Sequence, residues 1–549
     1  MTHRYRWSSG RIPAVASTSM SPAGNAPAAV RHGLVSRARA VPPVDVVLIA
    51  VVTLATFVVH DVGYLLRLPF WTDEAWVAIS TKLPLHQLLR VTASTPVGWS
   101  LLLRMFPFGG EQGLRLVPLG FAALTVAAAY VFARTLPWRS TAIARLAAVL
   151  SALAALLIPS ALMRDDLKQY TADAFVTVLV LYATSRVEAQ RSRGRLVGLA
   201  VLVVVGFLFS AVAAFVGAAA FAGLLLVAVA RSQWRSALEI AVTGGAAGML
   251  LGTVFLLLYR PGTPPGLHTY WSAYYVPVGQ GWDASWHFLS VGFHTMAGYL
   301  GMGPLALVGL IFFAGVASTA ALGRTAVALA VPLLVVEMMV LSAAGQYPLF
   351  DLRTSHFLTT ALAVTAAVGV AQGCALLTRW HPAAPVVAAV VVGAVFLSNV
   401  RADLRGQPIN QPSSTTEDLR SPTGYLAANL RPQDVVVVNT LSSWGFAYYW
   451  PHETPAIEPV TSNLQRFVAV FPDRPGILVA TDRNQSAVDE VVGRAAALAA
   501  ARGPQARIFY LHQHLVDSEK GFFAAAFAAH HLQVTPVQEG LDLVTPDGG

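Results

Sequence analysis

An Asp-Glu pair between two tryptophans is the stretch of this sequence best suited to carry out chemistry. The pair, Asp73 and Glu74, lies in the segment Phe70–Trp76, directly after the first long apolar run. Tryptophan side chains favour the headgroup level of a bilayer, and carboxylates can stay ionised there. A carboxylate in such a place can accept a proton as a general base. We predict that Asp73 is a catalytic base and that Glu74 is a positioning group, which orients a substrate hydroxyl or Asp73.

The two neighbouring carboxylates need not share one role, because adjacent side chains point in different directions. In a helix they lie about 100° apart. A competing interpretation is a helix start, since acidic residues suit a first turn and Ala75–Ser80 can be helical. A third interpretation is that Asp73 and Glu74 together hold a divalent metal ion. Apart from such a metal, no cofactor is predicted.

A second loop carries cations suited to a phosphate. The segment 164–170 reads Arg-Asp-Asp-Leu-Lys-Gln-Tyr. In a helix, Arg164 and Lys168 lie one turn apart and share a face, which predicts a two-pronged grip on an anion. Asp166 can hold these cations or a sugar hydroxyl, and Tyr170 is a further substrate-binding candidate. The competing interpretation is that the cations only snorkel at the membrane edge.

Lys82 and Arg353 are further candidates for a phosphate contact. Lys82 follows the Asp-Glu pair within the same loop, and Arg353 lies at another edge of the apolar region. For His356, close to Arg353, a structural role is predicted. Four histidines of the C-terminal region lack carboxylate or cysteine partners at metal-ligand spacing, so we predict no metal site there. They are His512, His514, His530 and His531.

The composition is that of a polytopic membrane protein. Of the 549 residues, 55% are hydrophobic and only 12% are charged, whereas soluble proteins carry about 25% charged residues. The mean hydropathy is +0.58. The net charge of +9 does not indicate a nucleic-acid partner, because arginines of membrane proteins collect on the cytoplasmic side. The single cysteine, Cys374, excludes a disulfide within the chain.

Apolar runs of about 17–25 residues predict about eleven transmembrane helices. These runs are 44–60, 116–133, 142–162, 172–186, 196–210, 211–230, 237–258, 300–319, 326–343, 356–374 and 383–399. With a cytoplasmic N-terminus, the arginine-rich connections all lie in the cytoplasm, as the positive-inside rule requires. The C-terminus and the loops with Asp73, Lys168 and Arg353 then lie outside. Glu337 falls inside an apolar run, where a charge is expensive.

The chain divides into four predicted regions. Residues 1–42 hold six arginines and no acidic residue, which predicts a disordered basic tail in the cytoplasm. Residues 43–400 form the membrane domain, and the polar, proline-containing residues 401–424 form a linker. Residues 425–549 alternate between strand-like and helix-like segments, which predicts an extracytoplasmic α/β domain. The predicted strands are 434–439, 476–481, 506–511 and 541–544, and the predicted helices are 487–501 and 519–531.

The acidic pair after the first span and the later pattern Arg-x-x-x-Lys-x-Tyr resemble the GT-C superfamily of glycosyltransferases. Within it, the chain is most similar to the family 39 protein mannosyltransferase-like enzymes and their bacterial relatives. The resemblance implies a polyprenyl-phosphate-linked sugar donor, inversion at the anomeric carbon and a site on the extracytoplasmic face. It covers roughly 44–360. It implies roles for Asp73, Glu74, Lys168 and Tyr170, and by loop position for Lys82 and Arg353.

The partners that this resemblance implies are the lipid-linked donor, membrane lipids and an envelope acceptor, either a glycan, a lipid or a protein. The C-terminal region does not look like the β-trefoil of eukaryotic protein mannosyltransferases, which argues against a protein acceptor. The competing functions are a transporter or flippase of lipid-linked intermediates and a non-catalytic scaffold. A transporter would place polar residues within spans near the midplane, whereas here the polar residues crowd one side.

Overall fold

The structure is a computed structural model that describes most of the chain from Pro42 onward. The described residues are 42–59, 63, 66–91, 95–106, 110–158, 167–263, 266–299, 304–381, 383, 386–387, 390–391, 394, 417–460 and 466–547. Arg164 and Asp166 lie outside them, as do 1–41 of the predicted tail and 401–416 of the predicted linker. The described residues from Pro43 onward belong to one unit.

Helices make up the part of the chain that precedes residue 378. They are α1 (Pro43–Val59), α2 (Thr72–Ile79), α3 (Leu88–Val91), α4 (Val97–Arg104), α5 (Glu111–Arg134), α6 (Thr141–Leu157), α7 (Tyr170–Ala189), α8 (Arg193–Phe207), α9 (Ala213–Ala230), α10 (Trp234–Val254), α11 (Leu267–Tyr270), α12 (Trp282–Tyr299), α13 (Leu305–Ala321), α14 (Thr325–Ala343) and α15 (His356–Leu377). Their length and composition follow from the apolar runs of the sequence.

Five of the described helices are long and apolar enough to cross a membrane. They are Glu111–Arg134, Ala213–Ala230, Trp234–Tyr259, Thr325–Ala343 and His356–Leu377. Helices α1, α6 and α13 are apolar but shorter. The predicted class, a polytopic helical membrane protein, is confirmed, whereas the predicted number of eleven spans is not. The difference arises at elements such as α7, which carries Asp173 and Arg186, and α8, which has only 15 residues.

Small residues let the apolar helices approach one another closely. A Cβ atom added to Gly315 of α13 would lie 2.0 Å from the backbone oxygen of Thr365 in α15. In the reverse direction, a Cβ at Gly369 would lie 2.6 Å from the oxygen of Ile311. Close packing of this kind is what holds helices together where lipid removes the hydrophobic driving force. It holds α13 and α15 close together along their length.

The loop between α1 and α5 folds back onto the helical region through α4. The indole Nε1 of the fully buried Trp99 donates a hydrogen bond of 2.6 Å to the backbone oxygen of Leu167. Gly98 approaches so closely that its backbone nitrogen donates to the oxygen of Leu208 at 2.8 Å. Helix α4 has eight residues and is too short to span a bilayer. It brings the first loop against the residues that precede α7.

The last part of the chain is an α/β domain, as predicted. Its helices are α16 (Arg420–Asn429), α17 (Ser442–Tyr449), α18 (Gln485–Arg502) and α19 (Asp517–Ala529), and its strands are β1 (Val435–Val438), β2 (Ala456–Pro459), β3 (Phe467–Val470), β4 (Ile477–Val479), β5 (Ile508–Leu511), β6 (Leu532–Gln538) and β7 (Leu541–Pro546). The main sheet has the order β4-β1-β5-β7-β6, and β2 pairs with β3 separately. Strand β1 is parallel to β4 and β5, whereas β7 is antiparallel to β5 and β6. The predicted linker therefore ends earlier than residue 424, since α16 begins at Arg420.

Strand β1 is buried on both faces, and its alternate side chains belong to two different cores. Val435 and Val437 pack with residues of α18 and α19. Val436 and Val438 pack in a core that contains α17 and continues into the first loop of the helical region. There, the rings of Trp444 and Trp76 lie 5.8 Å apart. A run of four valines is typical of a parallel strand covered on both faces. The same run here joins the α/β domain to α2.

Candidate active site

A cavity of about 370 Å³ lies where the loops of the helical region meet the α/β domain. Its polar and charged lining residues come from four separate parts of the chain. They are Thr72 and Asp73 from α2; Lys168, Gln169, Tyr170 and Asp173 around the start of α7; Gln346, Tyr347, Arg353 and Thr354 before α15; and Thr440, Asp482, Arg483 and His514 from the α/β domain. The walls between them include the rings of Trp76, Tyr270, Trp271 and Tyr275.

Asp73 is the point at which two cations from distant loops converge. Its Oδ2 atom lies 2.8 Å from Nζ of Lys168 and 3.3 Å from Nη1 of Arg353. The carboxylate stands in the first turn of α2, where the helix dipole favours negative charge. It keeps 24% of its side-chain surface exposed, so a ligand in the cavity can reach it. The sequence predicted all three residues as site residues, and the structure brings them together.

The two cations keep the Asp73 carboxyl ionised. Burial by itself would raise its pKa, but the charges of Lys168 and Arg353 outweigh burial and hold the pKa below its ordinary value. Two tryptophans support the cations from behind. Nζ of Lys168 lies 5.4 Å from the ring centroid of Trp76, and the guanidinium carbon of Arg353 lies 5.8 Å from that of Trp71. This arrangement offers an anion a paired positive charge beside a carboxylate.

Glu74 points away from the cavity and does not line it. Its carboxylate is fully buried and accepts from Nε of Arg115 at 2.9 Å and also from Nη2 of Arg115. The same guanidinium donates to the backbone oxygens of Leu68 and Pro69. A bidentate pair of this kind fixes the chain that leads into α2. The adjacent acids therefore take different directions, as predicted, but Glu74 braces the helix instead of meeting a substrate in the cavity.

Lys82 lines a different cavity from Lys168. Its ammonium group donates to the backbone oxygen of Tyr448 and lies 4.6 Å from the ring centroid of the same residue. Burial lowers the pKa of this amine. The neighbouring Glu111 pairs with Arg420 at 2.8 Å, so this second cavity lies along the seam between the helical region and the α/β domain. The structure thus separates Lys82 from the residues around Asp73.

Sequence reasoning missed Asp173 and Gln169, which line the main cavity close to Lys168. Asp173 lies one helical turn after Tyr170 on α7 and is buried. Within the described part of the chain, no partner hydrogen-bonds its Oδ1 atom or Oε1 of Gln169. The sequence does contain a feature that could have identified Asp173, because a carboxylate at the very start of an apolar run is unusual. Buried acceptors of this kind are satisfied by a ligand or by water.

The α/β domain forms one wall of the main cavity, which we call the roof. The roof consists of Thr440, Leu441, Asp482, Arg483 and His514. These residues follow three parallel strands: Thr440 follows β1, Asp482 follows β4 and His514 follows β5. The carboxyl ends of parallel strands meet at one edge of a sheet, which is where α/β proteins bind ligands. No pattern in the sequence could reveal that this edge faces the loops of the helical region, so the roof was not predicted.

Two roof residues are held by carboxylates behind them. Nε of Arg483 lies 2.9 Å from Oε2 of the fully buried Glu519, and Nδ1 of His514 lies 2.9 Å from Oε1 of Glu417. The hydrogen bond that His514 donates to Glu417 raises the pKa of His514, and the charge of Asp73 acts in the same direction. No carboxylate lies near His514 in the sequence at metal-ligand spacing, as predicted. In the structure, however, the distant Glu417 is its partner. Among the described residues, no group of three or more His, Cys, Asp or Glu side chains could hold a metal ion.

The combination of apolar helices with a C-terminal α/β domain is shared with solved structures. The chain is similar to the crystal structure of ArnT from Cupriavidus metallidurans bound to undecaprenyl phosphate, with 14% identity and a TM-score of 0.54. This similarity covers 91% of this chain and 97% of that chain. The apo state of ArnT from the same organism matches with 16% identity and a TM-score of 0.53, over 91% of this chain and 97% of that one.

At these identities, the similarity shows the fold. The GT-C fold predicted from the two loop motifs is confirmed, whereas the narrower resemblance to family 39 is not confirmed. No protein-family model matches the sequence, and no curated protein matches it.

Proposed function

We propose that the chain is an integral membrane glycosyltransferase that moves a sugar from a polyprenyl-phosphate donor to an envelope acceptor, with inversion at the anomeric carbon. The acceptor is a glycan, a lipid or a protein. The observation that carries the proposal is the convergence of Lys168 and Arg353 on Asp73 inside a cavity roofed by a second domain. The similarity in fold to ArnT, which has been solved bound to undecaprenyl phosphate, supports a lipid-linked donor.

Lys168 and Arg353 bind the donor phosphate in this proposal. Their side chains are mostly buried, with 9% and 15% of the surface exposed, so an anion between them is partly shielded from water. Charge-assisted hydrogen bonds to a phosphate are stronger than neutral ones, and arginine can bind it through two donors. As the bond between the anomeric carbon and the phosphate oxygen breaks, negative charge grows on the leaving phosphate. The two cations stabilise that charge in the transition state.

Asp73 accepts the proton of the acceptor hydroxyl while the acceptor oxygen attacks the anomeric carbon. Attack on the face opposite to the leaving phosphate gives inversion. A carboxylate with a low pKa is a weak base, because general-base catalysis favours a pKa near the working pH. The donor phosphate competes with Asp73 for Lys168 and Arg353, and this competition raises the pKa of the carboxyl toward its ordinary value. Donor binding thereby activates the base.

The remaining polar groups of the cavity suit a sugar. Buried polar atoms without a partner, within the described part of the chain, belong to five of the lining residues: Thr72, Trp76, Gln169, Asp173 and Arg483. A buried polar group without a partner costs free energy. A donor sugar supplies several hydroxyl groups, each of which can donate and accept. Tyr170, at the first position of α7, completes this wall.

The proposal places the reaction on the extracytoplasmic face. The loops that carry Asp73, Lys168 and Arg353 are those predicted to lie outside the cytoplasm, and all three line one cavity. The α/β domain covers the same cavity, so this domain and the three loops must lie on the same side of the membrane. A lipid-linked donor in the outer leaflet can then present its phosphate to the helix ends.

The test is sugar transfer by purified full-length protein from a panel of radiolabelled polyprenyl-phosphate sugars. Transfer by the wild type that depends on Asp73 supports the proposal, with Asp489→Asn on the exposed surface of α18 as the matched control. Absence of transfer from every donor, combined with movement of labelled lipid between leaflets, would instead favour the flippase.

A further inference from the structure

We propose that the roof is an acceptor subsite in which Arg483 and His514 bind an anionic group, a phosphate or a carboxylate, carried by the acceptor sugar. This inference rests on the proposed function, because it assigns the second substrate of that reaction. It concerns residues of the α/β domain only.

The guanidinium of Arg483 is held by the carboxylate of Glu519. Its Nε is held by Glu519, and the side chain keeps 31% of its surface exposed while it lines the cavity. Within the described residues, its buried Nη2 atom has no hydrogen-bond partner. A guanidinium has five N–H donors and no acceptor, so the pair with Glu519 leaves several donors for a ligand. An anion can bind two of them at once.

His514 provides a second donor at the same edge. The Nδ1 atom of His514 is hydrogen-bonded to Glu417. The Nε2 atom, on the opposite side of the ring, is not part of this contact. The groups with which its charge interacts are Glu417, Asp73 and Arg483. On the other side, it lines a surface cavity with further titratable groups, namely His512, Lys520 and Glu539. The bond to Glu417 favours the protonated ring, which is a donor at both nitrogens.

The position of Arg483 and His514 assigns them to the acceptor. The donor phosphate is tied to a lipid chain in the bilayer, so it reaches the cavity at the ends of the apolar helices, where Lys168 and Arg353 lie. Arg483 and His514 instead follow β4 and β5 at the edge of a sheet outside the helical region. Both residues therefore line the part of the cavity that the α/β domain contributes.

The experiment measures binding of three soluble sugars to the full-length protein in nanodiscs by isothermal titration calorimetry. The probes are glucose 6-phosphate, glucuronate and glucose, which differ in having a phosphate, a carboxylate or no charge. The variants are Arg483→Gln and His514→Gln. Arg494→Gln is the control, because Arg494 lies on the exposed face of α18, where it pairs with Glu490. Thermal unfolding of each variant shows that it is folded, and His514→Gln leaves the Arg483–Glu519 pair intact.

The expected result is that an anionic sugar binds the wild type and the control, and that each roof substitution weakens binding roughly 10- to 150-fold, as for a lost hydrogen bond to a charged group. Stronger binding of glucose 6-phosphate than of glucuronate identifies a phosphate, and the reverse identifies a carboxylate. Equal binding of glucose, unchanged binding by both folded variants, or no binding of either anion would overturn the subsite.

A second arm separates this subsite from the donor site. Undecaprenyl phosphate should bind the roof variants as it binds the wild type, and should lose affinity in Lys168→Ala. If Lys168→Ala instead abolishes binding of the anionic sugar, the anion lies at the donor site and the subsite is refuted. If no donor supports sugar transfer while the anion still depends on Arg483, the proposed transferase function fails and the anion site stands.

Discussion

The Nζ atom of Lys168 lies 2.8 Å from Oδ2 of Asp73, although 95 residues separate the two in the chain. One residue is a proposed phosphate ligand and the other a proposed base, and in the absence of a donor each neutralises the other. A phosphate that takes the lysine leaves the carboxylate less stabilised and therefore more basic. In the proposed reaction, this contact would couple donor binding to deprotonation of the acceptor.

Asp73→Asn should remove the base and keep the shape of the site. We expect turnover to fall by roughly 10²- to 10⁴-fold, the usual cost of losing a positioned base, while donor binding by Lys168 and Arg353 is retained. Single-turnover kinetics and donor binding measured on the same preparation check this. Near-wild-type turnover would support the helix-start interpretation. Severe loss in both Asp73→Asn and Glu74→Gln, mimicked by a chelator, would support a metal.

Lys168→Ala and Arg353→Ala should weaken use of the lipid-phosphate donor. Loss of a hydrogen bond to a charged group costs about 1.5–3 kcal/mol, or roughly 10- to 150-fold in affinity. Arg164→Ala tests the predicted second prong of the same grip. The measurement is donor affinity and kcat/KM, with Lys520→Ala on the exposed surface of α19 as the control. Unchanged values in all three variants would mean that these cations serve only as caps at the membrane edge.

Glu74→Ala should act on stability more than on chemistry. The substitution leaves the guanidinium of Arg115 buried without its carboxylate, and breaking a buried pair costs about 3–5 kcal/mol. Thermal unfolding in detergent should show a clearly lowered Tm. The double variant Glu74→Met with Arg115→Met should recover part of the loss, because it leaves no unpaired charge. A stable but inactive Glu74→Ala protein would return Glu74 to the catalytic site.

The pH dependence of kcat/KM should report the low pKa of Asp73. The base works only when ionised, and the cations keep it ionised below the ordinary pKa of about 3.9. Activity should therefore hold as the pH falls toward 4. In Lys168→Ala the pKa rises, so the residual activity should decline at a higher pH than in the wild type. His514→Gln identifies any part of the profile that belongs to the histidine. Identical acid limbs in wild type and Lys168→Ala would contradict this account.

Reporter fusions should place the cavity outside the cytoplasm. A reporter after Arg193 should read cytoplasmic, whereas reporters after Gly281 and at the C-terminus should read extracytoplasmic, because the arginine-rich loops stay inside. The cytoplasmic and extracytoplasmic reporters serve as controls for each other. A cytoplasmic C-terminus would place the α/β domain and the whole cavity on the cytoplasmic face.

The sequence predicted those parts of the site that follow from position relative to the membrane. Asp73, Lys168 and Arg353 stood out because each is a charged residue at the edge of an apolar run on the same predicted side. The strands β1, β4, β5 and β7 were predictable because they are short apolar runs between turns. Strand β6 was not, since most of its side chains are exposed and it lacks a hydrophobic pattern.

The roles of Glu74, Arg483 and His514 depend on contacts between distant segments. The partner of Glu74 is 41 residues away, and Glu417 lies 97 residues before His514. Local periodicity carries no information about such pairs. For Lys82, local position was misleading. Its place in the first loop suggested a phosphate contact, but the packing of α17 brings the backbone oxygen of Tyr448 to it.

The contact between Trp76 and Trp444 has a consequence for biosynthesis. Translation completes α2 with its Asp73 long before the ribosome reaches α17, and domains fold in the order in which they are made. Until the last segment has folded against it, the carboxylate lies in an open loop without the residues that close its cavity. A nascent or truncated chain would therefore carry the donor-binding residues but no finished chamber. The proposed reaction would therefore become possible only after the α/β domain has folded.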